Sequence, residues 1–163
     1  MRKIALATLT IFILSACSSI DCPVQNVVAT VWQLHKTNGT LDTLTTDTLT
    51  ITSQRRNGTD TILLNKSTST ASFELPISYT APEDTLKFLV CDTVGNQKIS
   101  YVYIKKENYP HFESVDCSAS FFHQLTAVRW TGNAIDSIGI NKSYVDYDLS
   151  TSHLYIYFNK STH

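Results

Sequence analysis

No window of twelve residues in the mature part of this chain carries a convincing helical period, and that decides the fold class. Apolar residues come instead in short stretches, many alternating, split by turn signals. Val27–Leu34 reads as a first strand. Thr46–Ser53 and Thr59–Asn65 flank Asn57-Gly58, a pair that favours positive φ and joins hairpin arms. Leu49 and Ile51 alternate with threonines in the first arm, and Ile62 and Leu64 continue the apolar face in the second. Ala71–Ile77 follows, bounded by Pro76 and Pro82. Thr85–Val90 is nearly all apolar, and Val94-Gly95-Asn96-Gln97 is a turn. In Lys98–Lys105, Ile99, Tyr101 and Tyr103 alternate with Ser100, Val102 and Ile104, so both faces are expected to be covered. Ser120–Trp130, Asp136–Asn141 and His153–Phe158 supply the last strands. About nine short strands predict an all-β domain over 27–163, an immunoglobulin-like β-sandwich of antiparallel strands, with a jelly roll second.

The N-terminus is of another kind. Met1-Arg2-Lys3 is basic, and Ile4 to Leu14 is an apolar run broken only by Thr8 and Thr10. Eleven residues are too few for a bilayer core that needs about 20, so the segment reads as a cleaved signal helix. Leu14-Ser15-Ala16-Cys17 looks like a lipobox, the site at which a bacterial lipoprotein is cut before a lipid-bearing cysteine. Residues 1–16 are then the signal, Cys17 is lipidated and 17–26 is a tether. Three acyl chains exceed the two-signal threshold for stable anchoring.

Removing residues 1–16 takes away Arg2 and Lys3, leaving 11 basic and 14 acidic residues. That mild balance argues against nucleic acid as a partner, which calls for a basic patch. Cys22, Cys91 and Cys117 remain beside Cys17. An exported chain meets oxidising conditions, and three cysteines allow three single pairings. Cys22–Cys117 is favoured, because it staples the start of the domain to a late strand. Cys91 follows Phe88-Leu89-Val90 and is expected to be a buried free thiol.

One tripeptide recurs more often than composition predicts. Asp-Ser/Thr-aliphatic occurs at Asp42-Thr43-Leu44, Asp47-Thr48-Leu49, Asp60-Thr61-Ile62, Asp84-Thr85-Leu86, Asp92-Thr93-Val94 and Asp136-Ser137-Ile138. It resembles the acceptor of a protein O-glycosylation system of Bacteroidetes. That resemblance implies glycan sites at Thr43, Thr48, Thr61, Thr85, Thr93 and Ser137. The competing explanation is that aspartate turns the chain, threonine opens a strand and the aliphatic residue starts the core.

Asp21-Cys22-Pro23, Phe112-Glu113-Ser114-Val115-Asp116-Cys117, Phe121-Phe122-His123-Gln124-Leu125, Ile135–Ile140, Val145 and Leu154–Phe158 together resemble a family of uncharacterised Bacteroidetes lipoproteins. Ser118 stands where that family has glycine after the late cysteine. The resemblance implies a β-sandwich of the cell envelope and carries no catalytic residue.

No nucleophile elbow, P-loop, zinc-protease helix or dinucleotide fingerprint is present. No catalytic residue, cofactor or metal site is therefore expected. His123 and His153 fall in predicted strands, where a half-buried, hydrogen-bonded ring is the default. Asp146 and Asp148 have the i, i+2 spacing of calcium ligands, but no glycine loop or bidentate glutamate follows, and a solvated turn is favoured. The last strand is the better lead. Leu154, Ile156 and Phe158 share one face and Tyr155 and Tyr157 the other, so two tyrosines point outward if the aliphatic side is core. Cross-strand aromatic packing explains such a pair, and so does a binding face. The expected role is a non-enzymatic, lipid-anchored envelope protein at the outer membrane, facing the periplasm and contacting a protein partner. The alternative is a glycan-binding accessory of a polysaccharide-uptake system.

Overall fold

Trp32 is fully buried where two sheets face each other, its ring against Phe73 and Phe88. Its indole N–H donates to Thr30 Oγ1 at 2.9 Å, and that hydroxyl donates to the Leu75 carbonyl at 3.1 Å. A large ring is thus buried with its one polar atom satisfied. The computed structural model describes residues 28–54, 58–115 and 117–159. Among them lie ten strands and no helix: β1 (Ala29–Leu34), β2 (Thr48–Ser53), β3 (Thr61–Ser67), β4 (Ser72–Pro76), β5 (Glu83–Cys91), β6 (Gln97–His111), β7 (Ser120–Gly132), β8 (Ile135–Ile140), β9 (Tyr144–Val145) and β10 (Leu154–Phe158). They form a four-stranded sheet, β4-β1-β10-β8, and a six-stranded sheet, β3-β2-β5-β6-β7-β9. The described part of the protein is all-β, built as a two-sheet sandwich.

Alternation puts the core together. Leu86, Phe88 and Val90 of β5, and Ser100, Val102 and Ile104 of β6, point inward. Leu49 and Ile51 of β2 meet them, opposite Trp32, Leu34, Leu75, Leu154 and Ile156 from the smaller sheet. On β7 the parity changes. The register with β6 slips between Lys105 and Lys106, leaving Thr126 unpaired. This bulge lets His123 and Leu125 point inward on one side of it and Val128 and Trp130 on the other. The chain leaves the large sheet at Gly132, whose φ is +103 and where a Cβ would lie 2.2 Å from the Ile99 carbonyl oxygen. Only glycine fits there. Ser100 Oγ then accepts from the backbone N–H groups of Ala134 and Ile135, which starts β8 in the other sheet.

Several expectations need correction. The strands are not all antiparallel: β1 and β10 run parallel, with Gln33 beside Tyr155. The first and last strands share no hairpin, so no short connection forces them to oppose. The stretch predicted as Lys98–Lys105 continues to His111, because the bulge lets pairing with β7 resume. Its two faces are not both covered: Ile99, Tyr101 and Tyr103 stay half-exposed. The hairpin around Gly58 exists, with φ +79 at that glycine, but the strands end at Ser53 and resume at Thr61. Cys91 is a free thiol, half-buried rather than buried. The signal helix, Cys17, Cys22 and the 17–26 tether lie outside the described residues.

Candidate functional site

The smaller sheet has an outer face built by register. Gln33 of β1, Tyr155 of β10 and Gly139 of β8 stand in one row across three strands, and Tyr157 pairs with Ser137 in the next. Leu154 and Ile156 are fully buried on the opposite side, so alternation turns both tyrosines outward, each half-exposed. His35, just past β1, joins them. Its ring lies 4.2 Å from that of Tyr155 and 6.0 Å from that of Tyr157, tilted to both. The ring is fixed at both nitrogens: Nδ1 lies 3.1 Å from the Gly39 carbonyl oxygen and Nε2 3.1 Å from the Gln33 carboxamide. Gly139 leaves open space beside Tyr155, with no atom within 4 Å of where a Cβ would stand. The result is a flat row of tyrosine, histidine, glutamine, serine and glycine, uncharged along its centre and flanked at its edges by the exposed Glu74 of β4 and by Asp136, which accepts from Ser137 Oγ at 3.3 Å. The outer side of the larger sheet differs: Arg129 there pairs with Glu83 at 2.8 Å and covers the Tyr103 ring at 3.9 Å.

The tripeptide residues do not converge. Thr43 and Thr93 are exposed in connections, whereas Thr48, Thr61, Thr85 and Ser137 are half-buried in strands. Asp92 shows the local use of the motif. Its carboxylate accepts from the Asn96 side chain, which does most to hold it below its ordinary range, and from the backbone N–H groups of Asn96 and Val94, and so closes the turn before β6. Asp84 instead turns inward to Lys106. Cys117 is disulfide-bonded, and its partner lies outside the described residues. Asp146 and Asp148 do share a cation, but it is the Lys142 ammonium, at 3.5 and 2.9 Å. Ser150 and Lys142 together hold the Asp148 carboxyl well below its usual range.

His123 on β7 and His153 are both more buried than expected, and His153 stands just before β10, which begins at Leu154, rather than inside the last strand. His153 Nδ1 accepts from the Val31 N–H at 3.0 Å, which places its proton on Nε2, where no hydrogen bond of good geometry forms. Burial first, and then Lys142, lowers its pKa. His123 belongs to a polar network that sequence reasoning missed. Lys106, fully buried, lies 2.8 Å from Asp84 and donates to the Ala81 carbonyl. Asn108 donates to the Tyr79 and Ala81 carbonyls, so its Oδ1 accepts from His123 Nδ1 at 2.7 Å. Burial, then the Lys106 charge, pushes His123 down to about 4. The inward parity Ser100, Val102, Ile104 was the available signal, since it lands next on Lys106 and Asn108. The network ties the 77–82 loop to β6. A groove of about 750 Å³ opens beside that loop, against Gln54, Thr61, Leu63 and Thr85. Among the described residues no three of His, Cys, Asp and Glu gather at metal-binding distance.

One family model, that of a family of unknown function, matches residues 48–158, from the start of β2 to the end of β10. No curated protein and no solved structure matches the chain.

Proposed function

The chain belongs to the family of unknown function DUF6452, and from that premise we propose that it is a non-enzymatic, lipid-anchored protein of the bacterial cell envelope that acts by binding another protein. The observation that carries this reading is the uncharged row Gln33–Tyr155–Gly139, with Tyr157 and His35 beside it. Protein interfaces are enriched in tyrosine and depleted of charge at their centres. A stiff sheet presents such a surface at little entropic cost.

The lipobox-like Leu14-Ser15-Ala16-Cys17 supports the anchor, and the family resemblance supports a Bacteroidetes lipoprotein at the periplasmic side of the outer membrane. The bonded state of Cys117 and the free thiol of Cys91 support Cys22 as the disulfide partner, with Cys17 taken by lipid. Immunoglobulin-like connectivity is the finer reading of the sandwich. O-glycans on the repeated tripeptide fit the exposed Thr43 and Thr93 best. The glycan-binding alternative has less support, because a sugar stacks on a bare ring face and His35 lies against Tyr155.

The test is affinity purification of the detergent-solubilised full chain after cross-linking in intact cells, for wild type and for a Tyr155→Ala/Tyr157→Ala variant. The expected result is a stoichiometric envelope protein with wild type, lost with the variant. An eluate holding this chain alone in both cases contradicts the reading and sends attention to glycans.

A further inference from the structure

Five of the eight large apolar side chains that stand exposed among the described residues lie at one end of the sandwich: Tyr79, Tyr109, Phe112, Val115 and Tyr144. They surround the β6–β7 turn. Phe112 and Val115 are in the turn itself, 62% and 96% exposed. Tyr109 pairs with Phe122 across the two strands, and Phe122 packs edge-on against Tyr144. On the other side of the hairpin Tyr79 stacks flat on Phe121 at 4.5 Å. Phe121 and Phe122, on well-paired strands, hold the rings of Tyr79 and Tyr144 in place, and a soluble surface has little use for such a gathering.

The path of the chain says what covers it. The described chain starts at Val28, which lines one small cavity together with Tyr79, Ala119 and Phe121, so the N-terminal segment enters at this same end. Cys17 and Val28 are eleven positions apart, at most about 40 Å when extended. If Cys22 is the partner of Cys117, five positions along the chain and one disulfide separate the lipid from the β6–β7 turn, at most about 24 Å. With that disulfide in place, a lipid on Cys17 holds this end, and not the opposite one, at the bilayer. Tyrosine and phenylalanine at the tip suit the bilayer interface, where amphipathic rings settle at headgroup level. Charge does not drive the contact. The charged residues of the segment 107–124 are Glu107, Glu113 and Asp116, with no lysine or arginine among them. Glu113 lies 3.2 Å from His111, and Glu107 accepts from the Tyr109 hydroxyl.

We propose that the aromatic end around the β6–β7 turn rests on the lipid bilayer that holds Cys17, leaving the Tyr155 face free for its partner. This rests on the lipid-anchor reading above. The geometry fixes the control. Val94, 76% exposed, sits in the turn at the far end of β6, about 45 Å away at 3.3 Å per residue.

The experiment uses the full chain, purified from membranes and placed in nanodiscs of phosphatidylcholine with or without brominated acyl chains. Mass spectrometry first reads the acyl groups on Cys17. Tryptophan quenching is then measured for Phe112→Trp and for Val94→Trp, each against wild type. The expected result is an acylated Cys17, at least twofold quenching of the added signal in Phe112→Trp, none in Val94→Trp, and no change on adding salt. An acylated chain whose Phe112→Trp signal is unquenched overturns the docking while the anchor stands, and a protein becomes the occupant of this end. Equal quenching of both variants overturns the orientation. An unmodified Cys17 overturns docking and anchor together.

Discussion

Single residues in this protein carry charge states that the fold imposes. His123 and His153 are buried as neutral rings, each with pKa below its ordinary value, His123 at about 4. The unfolded chain takes up their protons first, near pH 6.5. Their stabilisation is therefore complete above pH 6.5 and is lost as pH falls toward the folded values. Denaturant midpoints measured from pH 7.5 to 4.5 are expected to be flat and then to decline, by up to about 1.4 kcal/mol per pH unit for each histidine. His123→Gln keeps a donor for Asn108 and is expected to make the decline shallower. The pair Lys106–Asp84 gives an asymmetric prediction. Asp84→Ala strands a fully buried ammonium and is expected to cost about 3–5 kcal/mol. Lys106→Met should cost less, since Asp84 is partly exposed and still accepts from the Ser78 N–H; urea unfolding of both variants compares them. Among the tripeptides, glycoproteomic mass spectrometry is expected to find modification at Thr43 and Thr93 rather than at Thr85, which sits half-buried in a central strand beside an aspartate turned inward.

Strands and turns were legible to different degrees, and the reason lies in how local each cause is. Alternation in β2 and β10 comes from side chains within one strand, so the faces of Leu49 and Ile156 could be read directly, whereas β5 reads as nearly all apolar and its alternation of Leu86, Phe88 and Val90 shows only in the fold. The bulge at Thr126 is a property of two strands in register, and no run of β7 alone reveals that His123 and Trp130 share the inner side. The parallel pairing of β1 with β10 is longer in range still: its partners are 122 residues apart, Trp32 against Leu154. β9 is two residues long and exists only because β7 offers an edge to it, and nothing local marks it. The tyrosines of the candidate face were readable, because they follow from β10 alone, whereas His35 and Gly139 joined them only through the sheet. The change of sheet at Gly132 depends on contact with Ile99, also distant in sequence. Gly132→Ala is expected to clash with the Ile99 carbonyl and to lower thermal stability strongly, while Gly139→Ala, which meets open space, leaves it nearly unchanged in a calorimetric scan.

The whole molecule offers three surfaces with different chemistry. The outer side of the larger sheet is charged and internally paired through Glu83, Arg129 and Tyr103. The end around the β6–β7 turn is aromatic and is assigned to lipid. The outer side of the smaller sheet is uncharged along its centre and is assigned to a partner. Tyr155 and Tyr157 make few demands on the fold, and their loss is expected to lower stability by about 1 kcal/mol or less each. A binding defect on their removal would thus report the surface and not unfolding. The most direct test places a photoreactive phenylalanine analogue at Tyr155, and separately at Tyr103 on the other sheet, in the full chain in living cells. The account predicts one discrete cross-linked envelope protein from position 155 and none from position 103. The same adduct from both positions, or none from position 155, contradicts it.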